Sequence, residues 1–445
     1  SRIWGARYHR CMLPPHPEPP LWAWLLFGAF EFVIRVVALG VVPKHRRAST
    51  STAWLLLIFL WPLLGVPLYI IFGSWWAMGR RLDDDPEASA LVEAILKDSA
   101  KPKPTTYETP DGSDDDTASL MRLTGSLSGF PDSCGHVVAL HNDTAETFRQ
   151  MAASIDRATH HVNALYFQTS WDECTAPFYE ALERAKARGV TVRLLVDHHG
   201  LRTIPGHKAF RRRLDDMGIL WHEMLPFAPL RGHIRRPDLR NHRKILVIDS
   251  KIGYTGSFNL VDPRFFKKDS GVGEWVDVMM RCTGPLVLEL SAVFFADLAV
   301  ETDENLESVQ QYLTQAQERI PEILPEKMQQ GDIVAQVIPS APEQGSHVIY
   351  ETIISAIYAA TKQITITTPY FVPDEPLLMA LTIAAKRGVK VTLILPAKVD
   401  SLMVRYASRA YYPMLLDAGV KIAMFEGGLL HAKTMTIDED YALFG

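Results

Sequence analysis

Cysteine is scarce in this chain of 445 residues. The four present, Cys11, Cys134, Cys174 and Cys282, lie far apart and form no C-x-x-C pair. A disulfide framework or a zinc ribbon is therefore not expected, and a reducing compartment fits. Positive charge is not in excess either: the formal net charge is −5, which argues against a dedicated nucleic-acid binder. The length suffices for two or three domains, each with its own core.

Long apolar runs, by contrast, are concentrated at one end. Two of them, Trp22 to Val42 and Ala53 to Gly73, each hold about 20 residues, the length of a membrane-crossing helix. Glu31 and Arg35 interrupt the first at helical spacing and can pair on one face. Tryptophans near the ends of both runs suit the bilayer interface, and the second run argues against a cleaved signal peptide. Arg2, Arg7, Arg10, Arg80 and Arg81 flank the pair, against Lys44, Arg46 and Arg47 between them. That balance favours a hairpin with both ends cytoplasmic. Residues 1–81 thus read as a membrane anchor. Residues 82–134 read as a polar linker, with Asp83–Asp85, Lys101–Pro104 and Asp114–Asp116, broken by one short helix from Glu87 to Lys97.

Beyond the linker the pattern runs twice. Candidate strands at His136–Leu140, Val162–Phe167 and Val190–Val196 alternate with helices at Thr144–Thr159 and Pro177–Ala187. Ile333–Ile338, Ile364–Thr368 and Val389–Leu395 alternate in the same order with Ile349–Ala360 and Pro376–Lys386. Arg188-Gly189-Val190 and Arg387-Gly388-Val389 punctuate both series at the same place. Strands alternating with helices predict an α/β fold with a sheet layered between helices. It is expected as two pseudo-symmetric α/β/α halves, 135–331 and 332–445, after two transmembrane helices. Residues 283–331 read as a largely helical link between them.

Each half contains one octet of the form H-x-K-x4-D: His242, Lys244 and Asp249 in the first, His431, Lys433 and Asp438 in the second. Both sit in alternating apolar stretches. His and Lys two apart on a strand share a face. A neutral imidazole can attack phosphorus and form a covalent intermediate, and a neighbouring lysine can hold the phosphate oxygens as charge builds. Two copies supply a nucleophile and a general acid in one cleft. The aspartates lie far along their strands and are expected to brace the site. Positively charged lysines make a metal unnecessary, and no cofactor is implied.

The paired octets resemble the phospholipase D superfamily. Gly256–Arg264, Gly273-Glu274-Trp275-Val276-Asp277, Pro369–Glu375 and Gly427–His431 are similar to the bacterial cardiolipin synthases within it. The resemblance runs from the first apolar run to the last residue. It implies a multi-pass protein of the bacterial cell membrane, catalytic part cytoplasmic, that acts on phosphatidylglycerol in an anionic membrane and needs no nucleic acid. Two phosphatidylglycerols would give cardiolipin and glycerol through a phosphohistidine. His242 is then the expected nucleophile and His431 the acid/base, although the duplication leaves the reverse open. Ser257 and Asn259, of the sequence Gly256-Ser257-Phe258-Asn259, would contact substrate, and Asp277 would orient His242. The chain stops at Gly445, so the second octet lacks its Ser, its Asn and a later carboxylate for His431. A phospholipase D-type hydrolase, a transphosphatidylase with another acceptor, a membrane-tethered nuclease of the same superfamily and a membrane-tethered inactive scaffold are the competing readings.

One segment breaks the register. Gly189 and Gly388 are 199 residues apart but the two histidines 189, so the first half holds ten extra residues. They are placed around Phe227–Arg240. Arg231, Arg235, Arg236 and Arg240 there, interleaved with apolar side chains, are candidate contacts to anionic headgroups.

Overall fold

The computed structural model describes residues 20–44, 48–74, 86–99, 116–134, 137–227, 238–264, 271–302, 333–340 and 348–445. They fall into two compact units, Ser1–Ala77 and Met78–Gly445.

In the first unit α1 (Leu21–Val41) is apolar except for Glu31 and Arg35. At ~1.5 Å per residue it is roughly 31 Å long, the thickness of a hydrocarbon layer. Among the described residues it is the one helix long and apolar enough to cross a membrane. Its Glu31 and Arg35 pair at 3.0 Å, and Arg35 Nε also donates to the Phe59 carbonyl. The second apolar run departs from the single helix expected. It forms α2 (Ala48–Leu60) and α3 (Pro62–Leu68), followed by a π turn over Tyr69–Gly73. The break has a local cause: Pro62 pushes Trp61 out of the helical region, to φ −139° and ψ 77°, and has no N–H to continue the ladder.

The second unit begins with two helices from the stretch read as a linker, α4 (Pro86–Ser99) and α5 (Asp116–Ser128). Both enter cores, which corrects the reading of a solvated spacer. Val92 and Ile95, one turn apart on α4, are buried with the first sheet. Leu120 of α5 is buried with the second, and Thr124 lies 3.5 Å from Thr352. α4 is the short helix expected at Glu87–Lys97, whereas the apolar face of α5 is too narrow to stand out among the neighbouring aspartates.

The first sheet is built from β1 (Val137–His141), β2 (His161–Tyr166), β3 (Thr191–Asp197), β4 (Leu220–Met224), β5 (Ile245–Ile248) and β6 (Ile252–Gly256). A two-residue strand, β7 (Trp275–Val276), stands apart, and β8 (Met279–Thr283) completes the sheet in the order β1-β8-β6-β5-β2-β3-β4. Helices α6 (Thr144–Asp156), α7 (Ala176–Ala187), the short α8 (His198–Arg202) and α9 (His207–Asp216) connect the early strands, and α10 (Leu286–Glu301) follows β8. Two cores flank this sheet. One gathers Phe148, Phe178, Tyr179 and Phe210 from α6, α7 and α9; the other is built on α10, buried over nearly its whole length.

In the second sheet β9 (Gln363–Thr367), β10 (Lys390–Pro396), β11 (Lys421–Phe425), β13 (Thr434–Ile437) and β14 (Tyr441–Phe444) lie in the order β11-β10-β9-β13-β14. The short β12 (Leu429–Leu430) pairs with β7 instead. Helices α11 (Val348–Ala359), α12 (Glu375–Lys386) and α13 (Leu402–Asp417) pack around it. The order matches β4-β3-β2-β5-β6, and the punctuation matches too. Arg188 donates to the carbonyls of Ile155 and Ala158, and Arg387 to those of Tyr358 and Ala360, so the guanidiniums close the ends of α6 and α11. The strand expected at Ile333–Ile338 is absent: Ala335 makes a single bridge, to Ser133. The expected helical link is present as α10, and residues 303–332 lie outside the described residues.

Candidate active site

His242 and Lys244 are not on a strand but in the extended segment leading into β5. The alternation still sorts them. Asn241 and Arg243 both bond Asp297 of α10, Asn241 Nδ2 at 3.0 Å, and so His242 and Lys244 turn to the opposite side. His431 and Lys433 occupy the matching segment between β12 and β13. In each octet the lysine curls back on its own histidine: Lys244 Nζ donates to the His242 carbonyl and Lys433 Nζ to the His431 carbonyl, both at 2.5 Å.

The octet aspartates are at the far ends of their strands, roughly 17 Å along the chain from the lysines at ~3.3 Å per residue. Asp249 accepts from the N–H groups of Thr159, His160 and His161 and from Thr159 Oγ1, all within 2.9 Å. Asp438 accepts from Thr361, Lys362 and Gln363 in the same pattern, within 2.8 Å. Burial pulls the Asp249 carboxyl up, but these donors outweigh it and hold its pKa below normal; those around Asp438 hold it at about 2. Both aspartates staple the turn after a motif strand to the loop that starts β2 or β9, and neither reaches the histidines.

The two octets meet because β7 and β12 pair in parallel, Trp275 with Leu429 and Val276 with Leu430. The next residues in register are Asp277 and His431. Gly428 allows this approach: at φ +128° a Cβ there would lie 2.2 Å from the Glu274 carbonyl oxygen. Asp277 Oδ1 accepts from His431 Nδ1 at 2.6 Å. The expected pairing of Asp277 with His242 is thus corrected, and so is the expectation that His431 lacks a carboxylate. The partner comes from the other half of the chain, because β7 lies along β12. His242 instead stacks on Phe167, centroids 3.9 Å apart, while His431 lies 4.5 Å from Trp275.

Charge inside the cleft is finely poised. Burial, with the nearby Lys244, Lys433 and His431, lowers the His242 pKa to about 4. Burial lowers His431 too, against the opposing pull of Asp277. Lys244 falls to about 7 through burial and repulsion from Lys433, and Lys433 to about 8 through burial. Two buried ammonium groups facing one cleft are held weakly until an anion joins them.

Ser257 and Asn259 have other partners. The Ser257 hydroxyl accepts from Val278 N–H at 3.0 Å and donates to the Val278 carbonyl, fixing the β6–β8 edge. The Asn259 amide is paired in both directions with Gln168, at 3.3 Å. Arg240 is no headgroup contact: its buried side chain donates to the Leu225 carbonyl at 2.7 Å and lies 3.9 Å from Asp197. Arg231, Arg235 and Arg236 lie outside the described residues.

Sequence reasoning gave no role to Asp197, Phe167 or Trp275. Asp197 ends β3, accepts from His199, Gly200 and Asn241 N–H groups, and is near enough to raise the Lys244 pKa. A lone carboxylate closing an apolar strand was the available signal. The aromatics carried none, since an aromatic at a strand end is ordinarily core.

Comparison with known proteins now adds to this geometry. A family profile described as "Cardiolipin synthase, PLD-like domain" matches residues 151–270 and 353–445, and one described as phospholipase D-nuclease N-terminal matches residues 33–74. "Cardiolipin synthase A" of Yersinia pseudotuberculosis serotype O:1b (strain IP 31758) is 35% identical over 428 residues, 95% of this chain and 84% of the relative. The chain belongs to the cardiolipin synthase family of the phospholipase D superfamily. "Cardiolipin synthase A" of Yersinia pestis matches at the same identity and coverage. Among solved structures, the phosphatidylserine synthase of Haemophilus influenzae Rd KW20 aligns with a TM-score of 0.47 at 12% identity, covering 72% of this chain and 80% of that one. Nuc of Salmonella typhimurium aligns at 0.29 and 18%, covering 38% and 97%.

Proposed function

We propose that this member of the cardiolipin synthase family transfers a phosphatidyl group from one phosphatidylglycerol to another, giving cardiolipin and glycerol. The observation that carries the chemical reading is the Asp277–His431 hydrogen bond. With Nδ1–H given to the carboxylate, Nε2 of His431 is the nitrogen left to move a proton, as in a triad. His242, its pKa near 4, is neutral at physiological pH and has a lone pair to attack with.

In the first step a His242 ring nitrogen bonds to phosphorus and the bond from phosphorus to the glycerol oxygen breaks. His431 enters this step as the imidazolium, its charge held by Asp277, gives its Nε2 proton to that oxygen, and glycerol leaves. In the second step His431 takes the proton from a hydroxyl of the second phosphatidylglycerol. The oxygen bonds to phosphorus, the P–N bond breaks, and His242 is restored. Lys244 and Lys433 hold the non-bridging phosphate oxygens throughout as charge-assisted donors. The recurring strand order and paired staples support two copies of one unit sharing this cleft. The two apolar runs support a hairpin in the bacterial cell membrane with the catalytic unit on the cytoplasmic side.

The test is purified full-length protein in bilayers whose only phospholipid with a free glycerol headgroup is phosphatidylglycerol. Cardiolipin and glycerol should appear in equal amounts by mass analysis. Phosphatidic acid with glycerol, and no cardiolipin, would make it a hydrolase and overturn the proposal.

A further inference from the structure

The basic segment that the sequence suggested for lipid contact lies outside the described residues, apart from Arg240, which is buried and paired. A different surface has the required character. On the first turns of α13, Leu402, Met403 and Tyr406 are 69%, 84% and 70% exposed. Arg405 and Arg409 are exposed with them, and Leu402 to Leu416 contains no carboxylate. Large apolar side chains left this open on a soluble surface call for a partner.

The position of the helix is not the reason. In the first sheet α9 is likewise the helix that brings the chain from β3 to its parallel neighbour β4, as α13 does from β10 to β11. Lys208, Arg212, Arg213, Asp215 and Asp216 are exposed on it, and no large apolar side chain is. The apolar exposure is therefore particular to α13.

The topology sets this face at the catalytic end. Strands β9, β10 and β11 run parallel. Thr434 of β13 pairs with Thr367 at the carboxyl end of β9, which puts Lys433 and His431 at that end. Residues Ala397–Ser401 leave the same end of β10 to start α13. The loop after β9 adds Tyr370 and Val372, 41% and 49% exposed, and Tyr370 is tied to the α13 approach by a 2.9 Å bond to Asp400.

We propose that the outward face of the first two turns of α13, with Tyr370 and Val372, docks the catalytic unit on an anionic lipid surface. Leu402, Met403 and Tyr406 enter the interface, and Arg405 and Arg409 meet the headgroup phosphates. The charge balance favours this occupant: apolar side chains flanked by arginines, with no acid along the helix face, fit a negative bilayer surface. The proposal rests on the phosphatidyl-transfer reading and adds to it the surface through which lipid is presented to His242 and His431.

The test uses the full chain with Leu402→Ser, Met403→Ser and Tyr406→Ser combined, all at exposed positions. In phosphatidylcholine bilayers the mole fraction of phosphatidylglycerol needed for half-maximal turnover should rise at least fivefold. Turnover of a short-chain phosphatidylglycerol below its micelle concentration should be unchanged. Equal turnover by variant and parent in bilayers would overturn the proposal, as would an equal loss on both substrates. A second readout does not depend on activity. In a Cys11→Ser background, where Cys134, Cys174 and Cys282 are buried, a fluorophore on Met403→Cys should be quenched by nitroxide-bearing lipid. The same label on Glu180→Cys should not. Absence of quenching at position 403 refutes docking, and a change of oligomeric state in the triple variant without quenching assigns the face to a second copy. If the parent makes no cardiolipin yet position 403 is quenched, the function reading fails and the docking surface stands.

Discussion

The two octets share a backbone and differ in what surrounds the histidine. Each has an aspartate held by three N–H groups and a hydroxyl, and a lysine bonded to its histidine's carbonyl. Yet His431 is bonded to a carboxylate while His242 is stacked on a phenyl ring. Duplicated local geometry thus does not impose duplicated chemistry. The asymmetry enters through one short pair of strands, β7 and β12, which brings a carboxylate of the first half to a histidine of the second.

The strongest way to break the comparison is to remove either ring. His242→Ala and His431→Ala should each lower kcat by about 10⁴-fold or more, since paired catalytic groups act as a unit. They should differ in one measurement. A phosphorylated intermediate trapped with labelled phosphatidylglycerol should be absent from His242→Ala and detectable, slowly formed, in His431→Ala. An adduct that maps to His431 would reverse the roles.

Asp277→Asn tests the asymmetry itself. The change keeps size but gives up the charge that stabilises an imidazolium, and a loss of about 10³-fold in kcat is expected, with little change in melting temperature. A loss below tenfold would mean that the carboxylate only positions β7.

The lysines sharpen the comparison through pH. Burial brings Lys244 and Lys433 down to about 7 and about 8, and the phosphodiester binds the charged forms. As pH rises from 7 to 9, kcat/KM should therefore fall, approaching tenfold per unit while one lysine is mostly neutral and a hundredfold per unit once both are. Toward acid the corresponding loss waits for protonation of His242, near pH 4. Lys244→Arg, permanently charged, should flatten the alkaline limb even if its maximum rate is lower. An alkaline limb unchanged in Lys244→Arg would remove Lys244 from that account.

The smallest effect separates the two staples. Asp249 is buried and Asp438 is not. Asp249→Ala leaves three backbone donors in a partly buried turn and should cost about 2–3 kcal/mol of stability, against about 1 kcal/mol for Asp438→Ala, where water replaces the carboxylate. Denaturant titration of the two variants measures the difference, and equal losses would show that exposure does not set the value of the staple.

Much of this was legible in the chain. Alternation of apolar and polar residues located the elements from Val137 to Asp197 and from Val348 to Pro396, because burial of one face imposes its period locally. The Arg-Gly hinges mark the same place in both strand series, and the near-identical bonding of Asp249 and Asp438 goes with the Ile-Asp and Ala-Thr pairs that both staples share. Local chemistry also accounts for the break before Pro62, although the continuous apolar run concealed it. Only the tertiary structure decided the rest. Asp277 and His431 are 154 residues apart, and no local preference sets which carboxylate meets which imidazole; the register of β7 against β12 does. Arg240 looked like a surface cation, but it is buried and committed to Asp197 and Leu225. The poise of the lysines is of the same kind. An ammonium on an extended segment is ordinarily solvated, and only burying two of them against one cleft brings their proton affinities down to the range where a bound phosphate decides their charge.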